Sequence, residues 1–324
     1  MTTPSESATA LAIDVRGLRK SYGDKVAVES LDMQVVAGTV VGFLGPNGAG
    51  KTTVIRILST LLAPDRGTFA VASVSSSNPV EIRRRIGVLP ESAGYPPAQT
   101  SEEWLCYHAQ LFGASRTAAR ETALRLLAEV GLADRSRSRI ANLSRGMRQR
   151  LGIARALVND PSVVFLDEPT LGLDPRGQQQ VLDLVARIAG EHSVTVVLST
   201  HTLAEVEQVC SRVMILNRGR LVADGTVAEV VRSAAAPRSG VLVVPAELRQ
   251  RAIAVLAAQR IPATAASRPD EIGLTLPVDA TIEQSSTAAL NTLLAADVPV
   301  LGLAFEGGRL SDAFLAVTEG ANDD

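Results

Sequence analysis

Residues 45–52, Gly45-Pro46-Asn47-Gly48-Ala49-Gly50-Lys51-Thr52, decide how the rest of this chain is read. They follow an apolar run, Val40-Val41-Gly42-Phe43-Leu44, and lead into a segment of helical character, Thr53-Val54-Ile55-Arg56-Ile57-Leu58. Strand, glycine-rich turn, lysine, hydroxyl and helix in that order make a phosphate cradle. Glycines let the backbone curl until successive N–H groups converge on one anion. The helix adds the positive end of its dipole. Lys51 is placed to reach terminal phosphates, and the Thr52 hydroxyl to bind Mg²⁺. A glycine-rich turn that merely precedes a lysine would lack the strand before it and the helix after it. The motif implies a site for a nucleoside triphosphate.

The whole chain sets outer limits. Its 324 residues suffice for one large domain with a sizeable core and a smaller second one. At 46% hydrophobic and 20% charged, the composition is that of a globular protein. With 32 basic and 34 acidic residues, the formal net charge of −2 gives no electrostatic reason to expect a nucleic-acid partner. The two cysteines, Cys106 and Cys210, lack metal-type spacing and are expected as ordinary buried thiols in a reducing setting. Residues 1–10 are small and polar and lack the order of a secretory signal. No apolar run approaches the ~20 residues that span a bilayer, so spanning helices, if the protein works at a membrane, belong to another chain.

Outward from the phosphate loop, residues 13–19 and 26–36 alternate as half-buried strands do. Residues 68–71 and 86–89 read as further short strands. Thr100-Ser101-Glu102-Glu103 has the form of a capping box and opens a helix through Phe112. A second helix is expected over 117–130, stopped by Gly131, and a third from Ser144 to about 158. Buried strands at 163–166 and 194–199 flank a helix over 176–189, and Asn217-Arg218-Gly219-Arg220 turns a hairpin. The alternation implies an α/β fold with a mostly parallel core sheet and an added antiparallel sheet. Residues 233–240 read as a linker. Beyond it come strand 241–244, helix 246–259, strands 263–267 and 272–276, helix 282–295 and strand 298–305, an order that suits a small ferredoxin-like α+β module.

Val163-Val164-Phe165-Leu166-Asp167-Glu168 is a buried strand that delivers two adjacent carboxylates at its C-terminal end, where an open parallel sheet presents its crevice. Asp167 is placed for the shell of Mg²⁺, and Glu168 to polarise an attacking water. Just upstream lies Leu143-Ser144-Arg145-Gly146-Met147-Arg148-Gln149-Arg150.

With these segments and Leu166-Asp167-Glu168-Pro169-Thr170, the chain resembles the ATP-binding cassette (ABC) subunits of transporters over residues 11–232. The resemblance implies a P-loop NTPase fold with an antiparallel β-subdomain and a helical subdomain. It also implies ATP and Mg²⁺ as ligands. Tyr22 matches the aromatic that stacks on adenine, as its flat π-face suits. Gly45, Asn47, Gly48, Gly50, Lys51, Thr52 and Thr53 match the phosphate loop. Ser144, Gly146 and Met147 match the signature segment, which in the family touches the γ-phosphate of ATP held by the opposite subunit. Leu173 and Asp174 match the loop at the dimer interface, and His201 the γ-phosphate-sensing histidine. His108 and His192 keep the reading of ordinary surface or core residues.

The chain departs from the common family pattern in three places. Glu91 stands where many members carry glutamine; it can accept hydrogen bonds from water on Mg²⁺ but adds negative charge. Arg145 replaces a second glycine and Met147 a glutamine. These variants, with Gly308-Arg309-Leu310-Ser311-Asp312-Ala313-Phe314-Leu315-Ala316-Val317-Thr318 near the end, resemble the drug-resistance and ABC-2-type exporter ATPases. The resemblance implies two partners: a second copy of the chain, and an integral membrane permease on a separate chain, at whose cytoplasmic face the subunit would sit. The expected layout is a flexible N-terminus at 1–10, a cassette at 11–232, the linker at 233–240, an accessory domain at 241–318 and a tail at 319–324. A non-transport cassette ATPase or a weakly hydrolysing regulatory cassette stays open at this stage. A phosphotransferase on the same loop would leave Ser144, Gly146, Met147 and His201 without a task.

Overall fold

A computed structural model of the chain describes residues 10–233, 239–266, 268–275, 282–306 and 310–319. Most of the N-terminal stretch and of the linker, Gly308 and Arg309, and residues 320–324 lie outside these. Two compact units result, Met1–Val227 and Ala228–Asp324.

The first unit is built on a six-stranded sheet in the order Arg220–Thr226, Arg212–Asn217, Val40–Leu44, Thr195–Thr200, Val163–Asp167, Ile86–Leu89. All neighbours are parallel except the hairpin at the first edge. Every residue of Val40–Leu44, Val163–Asp167 and Thr195–Thr200 is buried, which explains the apolar runs 40–44, 163–166 and 196–198 within them. A second, antiparallel sheet runs Lys25–Val36, Leu11–Tyr22, Arg66–Val71, Val74–Ser75. Ile13, Leu18 and Leu31 from it join Phe43, Phe165 and Met214 of the first sheet in one core, with Val54 and Ile57 of helix Lys51–Leu58. Emptying such a site, as in Phe165→Ala, costs about 3–5 kcal/mol.

Helices Ser101–Leu111, Arg116–Glu129 and Arg145–Ala156 form the helical part. The first opens on the expected capping box between Thr100 and Glu103, with both reciprocal bonds made. Gly131, at φ +66, lies just past the second, where the left-handed turn favours glycine.

The second unit is an antiparallel sheet in the order Ala263–Ala265, Glu271–Thr275, Ser239–Val243, Gly302–Glu306, with helices Arg249–Ala258 and Ile282–Ala295 packed on each other. In chain order its strands and helices follow the split β-α-β pattern. Leu242, Leu256, Ile272 and Leu293 fill its core.

Several elements differ from the sequence reading. The last strand of the second unit starts at Gly302 rather than 298, because Pro299 has no N–H to give a ladder. Val298 is buried all the same. Helices Pro79–Arg85 and Leu203–Val209 were not expected; each has only seven residues, too few for a periodic pattern to stand out. Cys210 is buried as expected, whereas Cys106 is only partly so.

Candidate functional site

The phosphate loop joins the buried strand Val40–Leu44 to helix Lys51–Leu58 at the C-terminal edge of the parallel sheet. Gly50, at φ +107, has its α-carbon so close to the neighbouring strand that a Cβ would stand 2.5 Å from the Ala27 carbonyl oxygen. Only glycine fits both the turn and the approach. Gly48, at φ +83, faces open space, so its backbone is bare to any ligand.

Around this loop lies a cleft of about 570 Å³, the size of small-molecule sites. Its lining brings together Tyr22 and Lys25, the loop residues Asn47, Gly48, Gly50, Lys51, Thr52 and Thr53, and Glu91, Glu168 and His201. Lys51 is 7% exposed; its ammonium donates to the Gly45 carbonyl at 2.6 Å and lies 3.8 Å from Glu168 Oε1. Burial lowers the Lys51 pKa, against the opposing pull of Glu168, Asp167 and Glu91. A cation held in dry surroundings and facing three acids is poised for a richer source of negative charge, such as a polyphosphate.

Asp167, 2% exposed, lies behind Thr52. Its Oδ1 accepts from Thr52 Oγ1 at 3.2 Å and from Ser199 Oγ at 2.6 Å. Hydroxyl and carboxylate oxygens are the hard donors that Mg²⁺ takes, alongside phosphate and water. Among the described residues no cluster of three or more His, Cys, Asp or Glu could cage a metal by itself. The hydroxyl of Thr52 and the carboxylate of Asp167 suit an ion that also takes phosphate oxygens. Glu168 follows at φ +49, its N–H bonded to the Ser199 carbonyl at 3.0 Å and its Oε2 2.9 Å from His201 Nδ1.

The remaining expected residues form a different cleft of about 410 Å³, lined by Ser144, Gly146, Met147 and Asp174 with Arg145 and Leu173. Ser144 caps helix Arg145–Ala156 by accepting from the Met147 N–H at 3.2 Å, which leaves the serine O–H free to donate outward. Asp174 caps helix Pro175–His192 through the Gly177 N–H at 3.1 Å. The Arg145 guanidinium lies against Gly172, where a side chain would collide with it. The linings of the two clefts share no residue.

The sequence reading missed Lys25 and Ser199. Lys25 pairs across the hairpin with Tyr22 and rises beside it on the cleft wall. Ser199 sits one strand over from Asp167, in register with it. His108 and His192 stay outside both clefts. His192 Nε2 lies 2.7 Å from Glu129 Oε1, and His108 packs edge-on against Trp104 at 5.0 Å.

Known proteins resemble this chain in sequence and in fold. Residues 28–171 match the family model described as "ABC transporter". The chain is 37% identical over 314 residues to the daunorubicin/doxorubicin resistance ATP-binding protein DrrA of Streptomyces peucetius, covering 97% of this chain and 94% of that one. It is 38% identical to the Nod factor export ATP-binding protein I of Burkholderia orbicola, over 68% of this chain and 73% of that one. A dimeric ATP-binding cassette solved in a post-hydrolysis state with ADP and Pi superposes with a TM-score of 0.61 at 25% identity. The match spans 66% of this chain and 98% of that one.

Proposed function

This chain belongs to the ABC transporter family as an ATP-binding, ATP-hydrolysing subunit of its exporters, and from that premise we propose how its two clefts share the work. One observation carries the proposal: Ser144, Gly146, Met147 and Asp174 line a cleft apart from the one around Lys51. Such a division leaves the phosphate site half built, and a second copy turned head to tail completes it. The Ser144 hydroxyl and the N-terminus of its helix then meet the γ-phosphate held by the partner's loop.

Within one copy, Tyr22 stacks on the base and the loop N–H groups with Lys51 hold the phosphates. Thr52 and Asp167, with Glu91 accepting from water, would hold Mg²⁺, which would neutralise phosphate charge. Glu168 takes the proton of the attacking water, and His201 contacts the γ-phosphate while keeping Glu168 turned into the cleft. Closure depends on contacts that ATP offers and ADP lacks, and this difference in affinity moves the pair between open and closed forms.

Among the described residues no helix is long and apolar enough to cross a membrane; the family relation supports a permease on a separate chain. Tyr107, Leu111, Phe112 and Leu61, each at least half exposed, form an apolar surface that suits docking on such a partner at the cytoplasmic face. Pro90 lines a groove there with Leu61 and Phe112, while the next residue, Glu91, lines the nucleotide cleft. A two-residue step thus supports the coupling of nucleotide state to the partner.

The test is Glu168→Gln in saturating Mg-ATP, followed by light scattering and phosphate release. Dimer should accumulate while turnover falls by ~10² or more. A variant that stays monomeric, with the permease supplied, sinks the shared-site proposal.

A further inference from the structure

We propose that Glu205 is a positioning residue for hydrolysis, its buried carboxylate tying the loop that carries Glu168 to the loop that carries His201. Strands Val163–Asp167 and Thr195–Thr200 are parallel neighbours whose pairing ends at Asp167 and Ser199. Beyond that point one backbone bond, from the Glu168 N–H to the Ser199 carbonyl at 3.0 Å, carries the pairing on, and the side chains of Glu168 and His201 lie past it. Glu205, on the short helix Leu203–Val209, bridges the gap. Its Oε1 accepts from Thr170 Oγ1 at 2.7 Å and its Oε2 from Thr200 Oγ1 at 2.7 Å. Thr200 Oγ1 in turn accepts from the Thr202 N–H at 3.0 Å, so the turn that holds His201 is closed on the same hydroxyl.

All three side chains are dry: Glu205 is 5% exposed, Thr170 2% and Thr200 0%. Glu205 forms no ion pair with a cation among the described residues. A buried carboxylate without a cation is expensive, and an apolar residue of similar size would serve packing better. What the carboxylate gives in return is geometry. Thr170 lies two positions after Glu168, and Thr200 immediately precedes His201, so both ends of the 2.9 Å Glu168–His201 contact hang from one group. A misplacement of about 1 Å at such a contact can cost up to 10²-fold in rate.

The inference rests on the roles given to Glu168 and His201, and the experiment separates the two claims. Steady-state Mg-ATP turnover of the full chain is measured for Glu205→Ala, Glu205→Gln, Thr170→Val and Thr200→Val, with Glu168→Gln alongside. Glu205→Ala should lower kcat, taken per folded nucleotide-binding chain so that lost protein is not read as lost rate, by about 10- to 100-fold with KM for ATP within about twofold. Glu205→Gln, which still holds both hydroxyls once they rotate, should recover most of the rate. Each threonine variant should lose part of it, and the two losses combined should not exceed that of Glu205→Ala. If Glu205→Ala does not fold, the threonine pair decides alone. Unchanged kcat in both threonine variants, or equal damage from Ala and Gln, overturns the clamp; normal turnover in Glu168→Gln overturns instead the reading beneath it.

Discussion

His201 Nδ1 lies 2.9 Å from Glu168 Oε2, and the contact joins the ends of two adjacent parallel strands. The partners are unequal. The Glu168 side chain is 10% exposed and the His201 ring 47%. Glu168 also holds a left-handed backbone, φ +49, which a residue with a Cβ keeps only where its surroundings enforce it. The bond from its N–H to the Ser199 carbonyl supplies that constraint. The acid is thus fixed from behind, and the histidine, open to the cleft, sets the direction in which the carboxylate points.

Replacing His201 by Ala should therefore remove orientation without removing Glu168, the proposed base. Turnover is expected to fall by about 10²-fold while nucleotide affinity changes little. Titration with ATP beside steady-state kinetics separates the two. A variant that loses affinity and keeps kcat would assign His201 to ground-state binding instead.

Gly50→Ala tests whether the cradle depends on backbone and not on side chains. Alanine at φ +107 is strained by about 1–3 kcal/mol, and its methyl group would be driven into the Ala27 carbonyl 2.5 Å away. The loop must shift, and with it the N–H groups that Lys51 and the helix start were set to complement. ATP affinity should drop at least about tenfold. Calorimetric titration with Mg-ATP checks it; wild-type affinity would mean that the loop has slack the geometry does not show.

Much of this was legible in the chain itself, for a physical reason. The phosphate loop, the acidic strand and the segment from Leu143 to Arg150 are contiguous runs in which each residue type is demanded by its immediate neighbours. The parallel core was readable because both faces of its strands are covered, which leaves unbroken apolar runs such as Val163-Val164-Phe165-Leu166. What stayed hidden depends on partners distant in sequence. Ser199 meets Asp167 across 32 positions and Thr170 meets Glu205 across 35, and no local pattern marks either pair. Lys25 gave a weaker signal, since only the hairpin register sets it beside Tyr22. Helix Pro79–Arg85 carried a usable cue in Asn78 and Pro79, a cap followed by the residue favoured at a helix start, but its charged surface gave no apolar stripe to confirm it.

His108 gives the protein an acid-sensitive element outside both clefts. Burial against Trp104, with Arg155 nearby, pushes its pKa down from 6.5 to about 4. The unfolded imidazole thus takes up a proton that the folded one refuses between those values. Folding stability should fall as pH drops from 6.5 toward about 4, and no further on this account below it. Thermal melts of the wild type and of His108→Gln across that range check the sign: the wild type should lose ground relative to the variant as acid is added. Parallel curves would place the ring in a wetter setting than its packing indicates.

The division between two clefts makes the strongest demand. Lys51→Ala destroys the phosphate loop of a copy and spares its signature segment; Ser144→Arg does the reverse. Each variant alone holds no complete site, so neither should close into ATP-bridged pairs and each should show almost no turnover. Mixed and allowed to exchange in Mg-ATP, they should form pairs in which the intact loop of one copy faces the intact Ser144 of the other. Only a mixed pair holds a complete site, one of its two, so up to about half of the wild-type rate should return. Phosphate release from the mixture, set against the sum of the separate variants, reads this directly. No recovery, with heterodimers demonstrated by differently tagged copies, would mean that Lys51 and Ser144 serve the same nucleotide within one chain, and the head-to-tail arrangement would fall with it.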